Sequence, residues 1–296
     1  MKLNLKKSYY NLMNYKKYNK NTLYLFILLL FIFLISILII LYLRNYSNLN
    51  SKIENYTCKK TIPKLIIQTW KDNDIPKKYH KDIESLIVLN PTFTYMYFND
   101  EDIEFFLKEN YNDKYYKTYI NLPLKIQKID YFRYVAIYHF GGFYFDLDIT
   151  SLYPLDELLK YECIFPVDNY LSKNLCKLDR YKNICKENMN FILGQYAFAS
   201  IPKHPFMKKL IDNIDNNIKN IIDKYEIMNN RKIKEIEKNY YIYETTGPDY
   251  VTNNYINYLK NYKEYKKHIH ILHYIKKQYF GKYAKHNHYG TWKSET

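Results

Sequence analysis

The sequence predicts an α/β layered domain behind an N-terminal membrane anchor, and three observations carry that expectation. Strand-like and helix-like stretches alternate from Pro63 onward, the pattern of a sheet covered by helices. Between Leu124 and Ser151 an amphipathic helix, a Gly-Gly break and a short aromatic strand follow one another directly. Residues 21–43 contain no charged side chain and are dominated by Leu, Ile and Phe, and that length matches the ~20 residues a helix needs to cross a bilayer.

The N-terminal segments come first. A cleaved signal peptide would show a shorter apolar core and a small-residue cleavage site, and neither is present. Lys2, Lys6, Lys7, Lys16, Lys17 and Lys20 precede the apolar stretch with no acid among them, so the positive-inside rule leaves residues 1–20 in the cytosol and the rest across the membrane. The expected organisation is a basic tail at 1–20, a single-pass type II anchor at 21–43, a polar stalk at 44–60 and a lumenal domain at 61–296. Asn45-Tyr-Ser47 and Asn55-Tyr-Thr57 are glycosylation sequons beside the membrane. The formal charge of +15 permits nucleic-acid binding, but a lumenal domain without a compact Arg/Lys motif excludes it. The 37 Tyr and only 6 Gly point to codon bias of an AT-rich genome, so Tyr- and Lys-rich runs carry little functional weight. Cys58, Cys163, Cys176 and Cys185 would lie in an oxidising compartment where disulfides form, with their connectivity open; no Cys-x-x-Cys suggests zinc.

Pro63 to Trp70 reads as a hydrophobic strand, with Trp70 either core or a platform for a base at the strand's C-terminal edge, where ligands of open α/β sheets collect. Lys77–Leu89 reads as a helix, Phe93–Phe98 as a strand, and Asp100–Lys108 as a helix with acids at its positive end. In the helix that follows, Ile126, Ile129, Tyr134, Ile137 and Tyr138 recur at three- and four-residue steps, while Asp130 and Arg133 stand side by side, either as a surface ion pair or as part of a site. Gly141 and Gly142 end it, because glycine takes a left-handed backbone without steric cost. Leu152–Lys160 reads as a turn and short helix, Cys163–Val167 as a strand, and 168–190 as a surface loop. Phe191–Ser200 is apolar, Phe206–Tyr225 is helical, 229–239 is charged and exposed, and Thr246 is placed to cap a helix opening after Pro248.

The chemistry concentrates at Asp146-Leu147-Asp148. On a continuing strand both carboxylates point the same way. Two crowded carboxylates call for a cation, and hard ions such as Mg2+ or Mn2+ take oxygen ligands while bridging phosphate oxygens, so the pair reads as a metal–diphosphate site. Asp72/Asp74 and Asp100/Asp102 repeat the spacing, but in a polar loop and at a helix start; only the 146/148 pair follows a hydrophobic strand behind Gly-Gly.

Five blocks in order resemble a known family, the DXD-containing glycosyltransferases that include initiating α-1,6-mannosyltransferases, inositol phosphorylceramide mannosyltransferases and capsular-polysaccharide enzymes. They are IPKLIIQTWK (62–71), KIDYFRYVAIYHFGGFYFDLDIT (128–150), ASIPKHPF (199–206), TGPDYVT (246–252) and HNHYGTW (286–292). The resemblance implies a GT-A-like fold, a mixed central sheet flanked by helices, with a nucleoside-diphosphate-sugar donor (GDP- or UDP-hexose), a glycan or glycolipid acceptor, Mn2+ (or Mg2+), and retention of the donor's anomeric configuration. It assigns Asp146, Asp148 and Arg133 to catalysis and Asp146, Asp148 and His286 to the metal, with His288 as the other candidate for the last ligand. Trp70, Asp130, Arg133, Gly142, Tyr144, Asp146, Gln195 and Gly247 would hold the donor; Gln195 falls near a position where the family usually has Asn. Two other readings stay open: a membrane-anchored, non-catalytic sugar-binding protein, and a haloacid-dehalogenase-like phosphatase with Asp146 as nucleophile. The latter needs a downstream Gly-Asp or Asp-Asp pair, and the chain has neither.

Overall fold

A computed structural model describes residues 24–25, 27–29, 31–41, 61–111, 114–231, 234–261, 268–276 and 278–290. The chain divides into two compact units, residues 1–59 and 60–296. In the first, the described residues between 24 and 41 are helical, with exposed apolar side chains such as Leu28, Phe31, Leu34 and Leu38. No helix among the described residues is long and apolar enough to cross a membrane, and residues 21–23, 26, 30, 42 and 43 of the anchor expected at 21–43 lie outside the described residues. The basic tail, the stalk, both sequons and Cys58 lie outside the described residues.

The second unit runs β1 (Leu65–Thr69), α1 (Lys77–Leu89), β2 (Thr94–Phe98), α2 (Asp100–Tyr111), α3 (Tyr115–Asn121), α4 (Lys125–Phe140), β3 (Gly142–Phe145), β4 (Ile149–Ser151) and β5 (Cys163–Tyr170). It continues through α5 (Asp179–Lys186), β6 (Phe191–Leu193), β7 (Ala197–Ser200), α6 (Pro205–Asn230), α7 (Glu235–Thr245), α8 (Pro248–Asn261), β8 (Ile269–Leu272) and β9 (Ala284–His286). Among the described residues seven strands form one mixed sheet along β2-β1-β3-β7-β5-β6, with β8 beside β5. β1 runs parallel to both β2 and β3, whereas β7 is antiparallel to both β3 and β5, so the sheet changes from parallel to antiparallel at β3/β7. β4 and β9 make a separate antiparallel ribbon.

α4 departs from the one apolar face its spacing predicts. Asp130 through Ile137 are all buried, because the helix lies under the sheet and is covered again by α6. A helix buried nearly all round must satisfy its polar side chains internally. Gln127 does so by accepting from Leu124 N at 3.2 Å, half of a capping box, and by donating to Thr245 Oγ1 at 2.8 Å. Its C-terminus closes as expected: Gly141 (φ 69°) and Gly142 (φ 90°) take positive φ, and a Cβ on Gly142 would meet Leu65 O at 2.6 Å. Gly142 therefore lets β3 start flush against β1, which aligns the C-terminal ends of the two strands.

Two expected segments differ, and a third carries helix ends that its composition does not show. The loop expected at 168–190 is ordered: β5 extends to Tyr170, α5 follows, and Cys176–Cys185 are disulfide-bonded, while Cys163 is a buried free thiol. That disulfide ties down a polar segment whose composition alone reads as loop. The charged stretch 229–239 is exposed over most of its described residues, as expected, and carries the end of α6 and the start of α7. Thr246 is the C-cap of α7 and not the N-cap of the next helix; its hydroxyl is committed to Asp130.

Candidate active site

β1 and β3 are parallel neighbours, so their ends bring Thr69-Trp70 beside Phe145-Asp146 at one edge of the sheet. The strand stops at Phe145, and Asp146-Leu147-Asp148 forms a turn, with Ile149 N reaching Asp146 O at 3.3 Å. The two carboxylates therefore do not share a strand face as expected; the turn buries Leu147 between them and both still line one cavity. The turn is pinned by Asp146 N donating to Tyr196 O (2.7 Å) and by Gln68 Nε2 donating to Asp146 O (3.1 Å).

Asp146 faces α4. Its Oδ1 accepts from Tyr144 OH at 2.9 Å and lies 3.3 Å from Arg133 Nη1. Arg133 Nη2 is 3.3 Å from Asp130 Oδ1, Nη1 also donates to Gln195 O at 3.0 Å, and the guanidinium lies 4.6 Å over the Tyr144 ring. Asp130 is fully buried and accepts from Gln195 Nε2 (2.9 Å) and Thr246 Oγ1 (2.8 Å). The surface-pair reading of Asp130 and Arg133 is thereby overturned: both are buried, where losing one partner is far costlier than the few tenths of a kcal/mol of an exposed helical pair. Burial raises the Asp130 carboxyl to about 6, with Arg133, Thr246 and Gln195 holding it down. Burial disfavours the Arg133 charge, yet Asp146, Tyr144 and Asp130 more than compensate and keep it firmly protonated. Asp146 is raised by burial and by Asp148 against the pull of Arg133 and His286.

Asp148 faces the C-terminal segment. β9 pairs with β4 so that His286 lies opposite Ile149, and His286 Nε2 sits 3.3 Å from Asp148 Oδ1. Tyr289 N donates to Asp148 Oδ2 at 2.9 Å, and Asn287 N to Asp148 O at 2.9 Å. Asn287 Nδ2 reaches Asp82 Oδ1 (3.0 Å) and Thr150 Oγ1 (2.8 Å), tying the segment to α1. Burial works against the Asp148 charge, but His286 and the Tyr289 amide outweigh it and lower its pKa. The His286 ring lies between Tyr196 (4.3 Å) and His288 (3.9 Å), and burial and the neighbouring His286 keep His288 low.

Asp148 and His286 stand close enough to share one cation, an oxygen and a nitrogen donor with room for phosphate oxygens and water to complete the shell. Asp146 is turned toward Arg133 and Tyr144, and among the described residues no three His, Cys, Asp or Glu side chains are arranged to hold a metal. The expected three-residue set is thus present as a pair with Asp146 beside it. His286 Nδ1 is buried without a hydrogen-bond partner, so no neighbour orients the ring through that nitrogen.

These groups line a cavity of about 510 Å³ that also includes Trp70, Tyr79, Lys125, Asp168, Arg180, Gln195, Tyr243 and His288. The Trp70 ring lies 5.2 Å from that of Tyr79, tilted by 58°, and Tyr79 lies 5.6 Å from Tyr289. Of the expected donor residues, Gly142 packs against Leu65 and Gly247 against Tyr243, outside the wall, although Pro248 beside Gly247 is in it. Sequence reasoning missed Tyr79, Asp82, Asp168, Arg180, Tyr196 and Asn287. Asn287 alone had a local signal, lying between two histidines that were singled out.

The model of the family "Glycosyltransferase sugar-binding region containing DXD motif" matches residues 76–165. Inositol phosphoceramide mannosyltransferase 1 of Schizosaccharomyces pombe is 33% identical over 157 residues, 52% of this chain and 43% of that protein. Mannosyl phosphorylinositol ceramide synthase CSH1 of Saccharomyces cerevisiae is 33% identical over 54% of this chain and 37% of its own length. The initiation-specific alpha-1,6-mannosyltransferase of Candida albicans is 32% identical over 34% of this chain and 28% of its own. The chain thus spans less than half the length of each of these relatives. Among solved structures, PaToxG Glycosyltransferase superposes with a TM-score of 0.44 at 15% identity, covering 70% of this chain and 72% of that one, a likeness too weak to carry an argument. Residues 76–165, which include Asp146 and Asp148, are thus similar to glycosyltransferase sugar-binding regions that contain a DXD motif.

Proposed function

We propose that the chain is a GT-A-like, metal-dependent glycosyltransferase that moves a hexose from a nucleoside-diphosphate sugar to a hydroxyl-bearing glycan or glycolipid acceptor. The observation that carries the reading is the buried relay Asp130–Arg133–Asp146 running into the same cavity as the Asp148–His286 pair. A structural ion pair has no need of an open cavity, and perturbed carboxylates lining one are the mark of a functional site.

In this proposal Trp70 and Tyr79 receive the nucleobase at the β1 end. Arg133, held by Asp130, orients Asp146, and both contact the donor's ribose and sugar. Asp148 and His286 hold the divalent ion, Mn2+ or Mg2+, which when bound stabilises the negative charge of the departing diphosphate. Tyr144 and Gln68 fix the turn so that these groups need not reorganise during transfer. Retention of the anomeric configuration, and membrane attachment through the apolar residues 21–43, belong to the same proposal.

The test is nucleotide release from GDP-mannose, UDP-galactose and UDP-glucose by the full chain with Mn2+. Release from one donor, lost on chelation and reduced at least about a hundredfold by Asp148→Ala with an unchanged melting temperature, supports it. Undiminished release by Asp148→Ala, or none from any donor by the wild type, refutes it.

A further inference from the structure

Besides the groups assigned to the donor and the metal, the cavity is lined by the end of β5, by α5 and by the start of α8. At that end the β5–β6 register shifts: Val167 pairs with Leu193, but Asn169 pairs with Ile192, so Asp168 is the extra residue of a β-bulge. Bulges beside binding sites re-aim a side chain that regular pairing would place elsewhere. This one sets Asp168 in the cavity wall, within electrostatic reach of His286, Asp249 and Arg180.

Every other carboxylate of this region has a partner. Asp130 and Asp146 share Arg133, Asp148 has His286 and Tyr289 N, and Asp100 has Lys125 at 2.7 Å. Asp249 takes both arms of Arg180, Nε at 2.6 Å and Nη2 at 2.9 Å. Asp168 makes no hydrogen bond or ion pair among the described residues, although it is half-buried. Arg180 acts on it only at longer range: that cation is bound bidentately to Asp249 and enclosed by the rings of Tyr181 (4.8 Å), Tyr240 (5.1 Å) and Tyr243 (4.6 Å). A desolvated carboxylate without a donor is costly, and a ligand carrying donors would remove that cost.

The ligand's chemistry follows from the wall. A carboxylate accepts two hydrogen bonds from neighbouring hydroxyls, and Tyr181 and Tyr243 line the same cavity with flat, partly apolar rings, each also in contact with Arg180. That combination fits a polyhydroxylated ring, a sugar or a cyclitol, with hydroxyls on its rim and C–H groups on its face. We propose that Asp168 is the acceptor-binding carboxylate, accepting hydrogen bonds from ring hydroxyls of a sugar or cyclitol seated on Tyr181 and Tyr243. The assignment rests on the transferase reading above, because only a transferase needs a second hydroxylated substrate here. Asp168 binds and orients; the bond made and the bond broken stay on the donor side.

Water and a glycoside compete as acceptors, so two readouts separate the two claims. The full chain is given Mn2+ and its donor, and nucleotide release is measured alone and with methyl α-D-mannopyranoside, methyl β-D-galactopyranoside or myo-inositol. The expected result is that one probe stimulates the wild type. Asp168→Ala and the isosteric Asp168→Asn then keep release to water within about twofold while raising the KM for that probe about tenfold or more, the worth of one charge-assisted hydrogen bond. An unchanged probe KM, an equal loss of release to water, or a wild type that no probe stimulates overturns the assignment. A wild type that releases no nucleotide from any donor fails at the earlier step, before a probe is added, and takes the assignment with it.

Discussion

Arg133 Nη1 lies 3.3 Å from Asp146 Oδ1 while Nη2 of the same guanidinium lies 3.3 Å from Asp130 Oδ1. One cation therefore neutralises two carboxylates on different elements, the middle of α4 and the turn after β3. Removing it strands both. Arg133→Ala should cost about 3–5 kcal/mol of stability, the usual penalty for an uncompensated buried charge. Arg133→Met combined with Asp130→Asn should cost less than the two single changes added, because each removes the other's liability. Chemical denaturation of the four proteins checks this, and additivity would show that the two groups are not coupled.

The C-terminal segment yields a prediction that leaves the proposed metal ligands untouched. Asn287 joins Asp82 and Thr150 through its side chain and Asp148 through its backbone, and it sits next to His286. Asn287→Ala should weaken Mn2+ binding about ten- to a hundredfold, the range for residues that orient a ligand without touching the ion. Mn2+ titration followed by electron paramagnetic resonance measures it directly. Unchanged affinity would mean that the β4–β9 ribbon alone fixes His286.

Elements whose cause is local were legible in the sequence; contacts made across the fold were not. The α4 helix, its Gly-Gly stop and the aromatic β3 each follow from neighbouring residues, and they appear where expected. Trp70, Asp130, Arg133, Asp146, Asp148, Gln195 and His286 were all named, and the cavity brings them together. The depth of α4 was not legible, because periodicity reports one apolar face and cannot register α6 lying over the other. Asp168 opens a polar run that reads as loop by composition, and the bulge that puts it in the cavity wall depends on pairing with β6, which no local pattern records. Arg180 and Asp249 are 69 residues apart in sequence, and nothing local links them.

Asp130 gives the stability a pH dependence of definite sign. Burial raises its carboxyl to about 6 from the ordinary 3.8, so between those values the folded protein binds a proton that the unfolded chain has released. Stability contributed by this group is therefore greatest below about pH 4 and declines as the pH rises toward 6, by on the order of 2–3 kcal/mol. Asp130→Asn removes the titration, so the stability difference between wild type and variant should slope across that window and flatten above it. Denaturant midpoints at a series of pH values measure the slope; a constant difference would show that Asp130 titrates normally.

The Cys176–Cys185 disulfide closes a short segment that carries Arg180, at a sequence separation of 9. A loop that short restricts the unfolded chain only modestly, so Cys176→Ser with Cys185→Ser should cost at most about 2–3 kcal/mol. The larger consequence is local. Arg180 reaches Asp249 from α5, and its ring contacts with Tyr240 and Tyr243 hold that wall of the cavity to α7. Freeing the segment should loosen the wall beside Asp168 and leave Arg133, Asp146 and Asp148 in place, since those are anchored through β1, β3 and α4. Stimulation of nucleotide release by a glycoside should therefore fall several-fold further than release to water. Equal losses would show that the disulfide supports the whole unit and not this wall in particular.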